Sequence, residues 1–206
     1  MARKRKRSSR KKKNMGSRLA AVVVVVLLVF VGVYVGHHLY QRYQQQQIIE
    51  KRNNARKLFI KQVAPEAQAM QNRYHVLASI TIAQAILESD WGSSQLASQY
   101  HNLFGIKGTG ANSKEMSTKE YVDGKWIVIK GRFKVYDSWD ASIKDHTHLM
   151  ITGTDTNKQN YSQVTQATNY KQAAKGLQQA GYATDPDYAK KLISVIQTYH
   201  LDQYDK

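Results

Sequence analysis

Cysteine is absent from the 206 residues, which excludes a disulfide scaffold, a thiol nucleophile and a thiolate metal site. Proline is scarce, with 2 residues against 13 tyrosines, so the chain does not read as a disordered one. The 7 histidines show no spacing of the HExxH kind, and no glycine-rich phosphate loop is present. No metal and no cofactor is therefore expected. Acidic residues are few, 15 against 31 Lys and Arg, for a net charge of +16. That excess is local. Residues 1–18 hold 10 of the basic residues and no acid, while residues 61–206 hold 16 basic against 14 acidic. A nucleic-acid-binding module carries its positive charge on the folded surface, so no nucleic-acid partner is expected.

A long apolar run is what the chain does have. Leu19 to Gly36 are 18 residues without a charge, about 27 Å at helical rise and close to the hydrocarbon thickness of a bilayer. A cleaved signal peptide is the competing reading, but Tyr34 and Val35 stand where its cleavage site needs small residues. The basic block Arg3 to Arg18 precedes the run, and a Lys/Arg excess on one flank keeps that flank in the cytoplasm. The reading is a cytoplasmic tail (1–18), a transmembrane signal anchor (19–38), a polar stalk (39–57) with the Gln44 to Gln47 run, and one domain (58–206) on the outer face of the membrane.

Within that domain Leu58, Val63, Ala67 and Met70 suggest a helix broken or restarted near Pro65. Ser79 is expected to cap the next helix, on which Ile80, Gln84, Leu87 and Trp91 line one face, Glu88 sits at its edge and Gly92 ends it. Ser93 or Ser94 starts a short helix, and glycines mark a loop after HNLFGIKG. Tyr121, Trp126 to Ile129, Phe133 and Val135 are strand formers around an Asp123-Gly124 turn signal, which predicts a hairpin. Ser138 caps a helix with Trp139, Ile143, His146 and Met150 on one face. A further helix is expected over Asn169 to Ala180, and a last one, with Tyr188, Leu192, Val195 and Tyr199 as its stripe, from Asp185-Pro186, where Asp185 is the cap. The fold class is α+β, mostly helical with one small hairpin. His146, on its apolar stripe, is read as a satisfied structural histidine.

A carboxylate at the margin of an apolar helix face, as Glu88 is, would be partly desolvated and so hold its proton, which describes a general acid. A surface Glu of good helix propensity fits the pattern as well. The stretch SITIAQAILESDWGSSQLA followed by YHNLFGIKG closely resembles the core of the glucosaminidase family of bacterial cell-wall hydrolases (glycoside hydrolase family 73). The likeness continues through TKEYVDGKW, FKVYDSWDASIKDH and GYATDPDYAKKLISVI. It implies a lysozyme-like helical domain that hydrolyses the β-1,4 bond after N-acetylglucosamine in peptidoglycan glycan strands. It places the family's general acid on Glu88. Glu120, the hairpin carboxylate of TKEY, becomes the candidate for activating water or stabilising the oxocarbenium-like transition state, with Glu115 and Asp123 nearby as substitutes, although Asp123 is better explained by the turn. Tyr182 of GYATD is the tyrosine expected in the cleft. Trp91, Asn102, Phe104, Gly105, Tyr136 and Asp185 are the expected substrate-binding residues, and His101 stands where many members have Asn. A retaining and an inverting enzyme differ in carboxyl separation, and the acetamido group of the substrate is a further possible participant, so the stereochemistry stays open. Two other functions stay open beside this one. The first is a muramidase or lytic transglycosylase of the same superfamily. The second is a non-catalytic glycan-binding scaffold held at the membrane, which would need stacking aromatics but not the acid.

Overall fold

The structure, a computed structural model, describes residues 10–122 and 125–206, and of residues 10–15, 119–122 and 126 the backbone alone. Its contacts divide the chain into two units, residues 1–54 and 55–206.

Helix α1 runs over Arg10–Tyr74. In the first unit its apolar residues are exposed, from Leu19 through Phe30 to Val35. Among the described residues it is the one helix long and apolar enough to cross a membrane, by length and composition. The stretch read as a polar stalk is helical.

The second unit begins in the same helix, where Phe59, Ile60, Val63, Ala64, Ala67 and Met70 are buried. Their three- and four-residue spacing is that of a single helix face. The break expected near Pro65 does not occur, and the helix continues through it. Proline removes the hydrogen bond to the carbonyl four residues back. Here both Pro65 and Lys61 are exposed, so the lost bond lies on the solvent side of the helix, where its cost is lower.

Helix α2 (Ala78–Ser89) is the centre of the unit, with ten of its twelve residues buried. A helix apolar all round has to be enclosed, and α6 (Tyr170–Gln179), α7 (Tyr188–Tyr199) and a 3-10 turn (Leu201–Tyr204) pack on it. Ser79 does not cap α2 as expected. The N-cap position is Leu77, which makes no side-chain bond. Residues remote in sequence or one helix back supply the acceptors instead. Gln71 Oε1 accepts from the Ala78 N–H at 2.6 Å, and Asp205 accepts from the Ser79 N–H at 2.7 Å and from its hydroxyl at 2.6 Å. At the other end Asp90, Trp91 and Gly92 all have positive φ, 48°, 60° and 75°. Gly92 is required there, because a Cβ would lie 2.6 Å from the Trp139 ring. Asp90, not Gly92, is the residue that ends the helix.

Ser94 caps α3 (Gln95–Tyr100). Strands β1 (Ser113–Val122) and β2 (Lys125–Lys134) pair antiparallel from Ser113↔Lys134 to Val122↔Lys125. The Asp123-Gly124 connection lies outside the described residues. Ser138 caps α4 (Trp139–Thr152) by accepting from the Ala141 N–H. The one-turn α5 (Ser162–Thr165) follows, and Asn169 caps α6 in the same way as Ser138 caps α4. Helix α7 begins at Tyr188, two residues later than expected, with Asp187 at the N-cap position. Asp185 forms a turn ahead of it, its Oδ1 accepting from the Asp187 N–H at 2.9 Å.

Candidate active site

Glu88 occupies the last turn of α2, where the helix leaves the core and Leu87 and Glu88 reach the wall of a cleft of about 940 Å³. The floor comes from the loop after α3, through Phe104 and Gly105. β1 and β2 supply Thr118 and Phe133, and the turn before α7 supplies Tyr182 and Asp185. A cleft of this size matches a site for a small ligand or a few linked sugar rings.

The Glu88 carboxyl is held from one side. Tyr188, the first residue of α7 and itself 4% exposed, donates its hydroxyl to Glu88 Oε1 at 2.7 Å. Gln84, one helical turn before Glu88 and fully buried, donates Nε2 to the Tyr188 oxygen at 3.2 Å. As a residue Glu88 is exposed, because it opens onto the cleft. Its carboxyl group is nonetheless crowded by the protein around it, and that crowding governs its charge. Burial raises its pKa above the ordinary carboxylate value, the Tyr188 hydrogen bond opposes the rise and the negative charge of Asp185 adds to it. A carboxyl group that keeps its proton to higher pH while facing a cleft can act as a general acid.

Behind the Glu88 carboxyl lies a stack of rings. Tyr182 stacks on Tyr188 with centroids 5.7 Å apart and meets His146 edge-on at 5.8 Å. His146 in turn lies flat against Phe104 at 4.0 Å. Burial, then the charge of Glu88, pushes the Tyr182 hydroxyl well above the usual phenol range. His146 is buried as expected, but it is not satisfied, since neither ring nitrogen has a hydrogen-bond partner. Full burial pushes its pKa down to about 3, so it is neutral at physiological pH.

Not every expected residue reaches the cleft. Glu88, Phe104, Gly105, Tyr182 and Asp185 line it together. Trp91 does not. It packs edge-on against Phe59 and Tyr199, with the Arg56 guanidinium 5.0 Å above its ring, because the left-handed turn at Asp90 and Trp91 swings it off the α2 face it was expected to share with Glu88. Asn102 lies beneath the floor, buried. Its amide donates to the Ile106 and Lys134 carbonyls, and its Oδ1 accepts from the Phe104 and Ile106 N–H groups. It shapes the loop that presents Phe104 without touching the cleft. Tyr136 is likewise absent from the lining and donates to Asp145 Oδ2 at 2.6 Å. Burial pushes Asp145 up, but the hydrogen bonds from Lys134 and Tyr136 outweigh it and hold the carboxyl below its ordinary value. Asp185 is held by Lys191, whose ammonium donates to Oδ2. Glu120 is in β1 opposite Ile127, and its side chain lies outside the described residues. Glu115 is exposed and pairs with Lys130 at 3.4 Å.

Tyr188 and Gln84 are the residues the sequence reading missed as polar partners. Both sit on stripes read as core, and both are core. The signal available was that a buried tyrosine or glutamine still needs partners for its polar end.

The profile of the Glucosaminidase family, described as mannosyl-glycoprotein endo-beta-N-acetylglucosaminidase, matches residues 64–201. The chain is 48% identical over 150 residues to the exo-glucosaminidase LytG of Bacillus subtilis, covering 72% of this chain and 53% of that one. It is 37% identical over 162 residues to a probable N-acetylmuramidase of Lactococcus lactis, covering 77% of this chain and 37% of the relative. It therefore spans about half or less of the length of these relatives. Among solved structures, the catalytic domain of the autolysin Auto from Listeria monocytogenes is similar with a TM-score of 0.66 and 38% identity, over 73% of this chain and 88% of that one.

Proposed function

The chain belongs to the glucosaminidase family, and on that footing we propose that it is a peptidoglycan hydrolase, an endo-β-N-acetylglucosaminidase that cuts the β-1,4 bond after N-acetylglucosamine with Glu88 as general acid. The observation that carries the reading is the Glu88 carboxyl, raised in pKa by its surroundings and set in the wall of a glycan-sized cleft. In the proposed reaction the Glu88 proton moves to the glycosidic oxygen as the bond from that oxygen to the sugar C1 breaks, the bonding pair staying on oxygen. Water then adds to C1 and gives up a proton. Tyr182 sits where its ring can flank a sugar. Glu120 is the proposed second carboxylate, supported by the family motif TKEY and by its place two residues after Thr118, which lines the cleft. No cofactor is part of the proposal.

The long apolar helix of the first unit is proposed as a signal anchor, with the basic tail in the cytoplasm and the catalytic domain on the outer side of a bacterial membrane, where the glycan is. Its support is the exposed, charge-free run after the basic block. Protease added to intact protoplasts should remove the domain from the membrane fraction. Release of a mature protein beginning near residue 37 would instead mark a cleaved signal.

A second reading, cleavage on the other side of the sugar pair, is favoured by one observation, the muramidase name carried by the lactococcal relatives. One experiment separates the two. Full-length protein in detergent is incubated with peptidoglycan, and the products are reduced with borohydride and weighed by mass spectrometry. Reduced N-acetylglucosamine ends support the glucosaminidase. Reduced muramic acid ends establish the muramidase and overturn the proposal, and anhydro ends indicate a lytic transglycosylase. The time course also tells endo from exo action, the latter being the word carried by the Bacillus relative. Endo cleavage shortens long strands at once, whereas exo cleavage releases small fragments from the start.

A further inference from the structure

Three buried or walled-in polar groups form a hydrogen-bonded chain with a donor, the Gln84 amide nitrogen, at its core end. Gln84 is fully buried and offers its amide nitrogen to the Tyr188 oxygen at 3.2 Å. An amide NH₂ only donates, so the tyrosine oxygen is the acceptor of that bond. Tyr188 has one proton of its own, and the only other polar atom bonded to its hydroxyl among the described residues is Glu88 Oε1, 2.7 Å away. That proton therefore points at Glu88. Oε1 can accept whether Glu88 is charged or neutral, and because a carbonyl oxygen is the better acceptor, this bond favours placing the carboxylic proton of the neutral acid on Oε2.

We propose that Tyr188 is a positioning residue for catalysis, which by occupying Glu88 Oε1 from the core side fixes the transferable proton on Oε2 and receives the negative charge on Oε1 when that proton leaves. This rests on the general-acid reading of Glu88. In the step itself the O–H bond at Oε2 breaks and an O–H bond to the leaving glycosidic oxygen forms, and the charge gained by the carboxyl is met by a hydrogen bond already in place. Such a donor costs no reorganisation at the moment of transfer. The Tyr188 ring supplies the rigidity, being 4% exposed and stacked on Tyr182, and Gln84 prevents the hydroxyl from rotating its proton toward the core.

Other charges around the acid stay the same when the hydroxyl is removed. Tyr182 and Asp185 face Glu88 from the turn before α7, Asp185 held by Lys191 of that helix. Lys107 and Lys134 line the cleft from the hairpin side, and Asp155 lines it after α4. His146 and Tyr161 meet Tyr182 edge-on.

The test is the pH dependence of kcat for the full chain in detergent on peptidoglycan strands. Tyr188→Phe keeps the ring and removes the donor. A hydrogen bond to a charged group shifts an equilibrium by about tenfold or more. The alkaline limb, which reports loss of the Glu88 proton, should therefore move up by about one pH unit, and kcat on the plateau should fall about tenfold with little change in KM. Replacing Tyr188 with 3-fluorotyrosine, a stronger donor of almost the same shape, should move the limb down. This second arm holds even if the Phe variant folds poorly, which circular dichroism reports. A limb that stays in place in both variants, or moves the same way in both, overturns the inference. The parent reading fails separately, if the wild-type protein shows no alkaline limb or if Glu88→Gln retains its activity.

Discussion

Replacing Glu88 by Gln should push rate and stability in opposite directions. Gln keeps the shape and keeps an acceptor oxygen for the Tyr188 hydroxyl, now at 2.7 Å from Oε1, so the fold and the ring stack behind it are retained. It has no proton to give to a glycosidic oxygen. Loss of general acid catalysis is worth about 10² to 10⁴ in rate, or roughly 3 to 5.5 kcal/mol of transition-state stabilisation. Stability should change the other way. Burial raises the Glu88 pKa in the folded protein, so between the unfolded and folded pKa values the folded state binds more protons than the unfolded one. Stability then falls as pH rises through that window, and the whole cost persists above it. Gln never ionises and removes the cost. Its melting temperature should approach that of the wild type well below about pH 4, where the wild-type Glu88 is protonated in both the folded and the unfolded state, and exceed it by a growing margin as pH rises to neutrality. Turnover of peptidoglycan strands followed by mass spectrometry gives the rate, and thermal unfolding across pH gives the stability. Near-wild-type hydrolysis by a folded Gln variant removes Glu88 from the mechanism. A variant that is inactive but no more stable at neutral pH refutes the reasoning that crowding holds the proton on the acid.

Glu120→Ala should cut turnover severely if that carboxylate activates water, and added azide should then restore part of it by forming an inverted glycosyl azide; weak loss without azide rescue would assign the step to the substrate acetamido group, and unchanged turnover would remove Glu120. His146→Leu should lessen the acid sensitivity of the fold. The folded His146 pKa is depressed to about 3, so its contribution to stability is complete above pH 6.5 and is lost as pH falls toward 3, by up to about 1.4 kcal/mol per unit. The difference in unfolding free energy between wild type and variant should follow that slope, and a difference independent of pH would show that the imidazole is not kept neutral. Asp205→Ala removes both acceptors from Ser79, which is fully buried. It should cost about 1 to 3 kcal/mol, read as a lower melting temperature, whereas Asp205→Asn keeps one acceptor and should lose much less. Equal losses in the two variants would deny Asp205 its role as the remote cap of α2.

Most elements of the domain were legible because their causes are local. Ser94, Ser138 and Asn169 each accept from the N–H three residues on, and a short polar side chain before an apolar period is a signal contained in a few consecutive residues. The hairpin was legible for the same reason, from strand formers placed symmetrically about a two-residue turn signal. The misreadings concern choices that a local pattern does not announce. Ser79 looked like a cap because it is a serine before a helix, but its acceptor comes from Asp205, 126 residues away, and no local pattern announces that. Pro65 looked like a break because its cost was counted without knowing that it lies on the exposed side of the helix. Trp91 looked like part of the Glu88 face because the period was run one residue past the point where the backbone turns left-handed at Asp90.

The site divides along the same line. The place of Glu88, the proposed acid, in the cleft wall was legible from the helix margin and the family motif together, since both depend on neighbours in sequence. Its partner was not. Tyr188 lies 100 residues from Glu88, on a stripe whose apolar period correctly called it buried. Burial of an aromatic and control of a proton are not alternatives here. The ring has to be packed for the hydroxyl to be fixed, and the hydroxyl has to be bonded for the ring to be buried at low cost. A periodicity that reads Tyr188 as core therefore also specifies that its oxygen needs partners inside the fold. The topology supplies two, Gln84 and Glu88, one helical turn apart on α2.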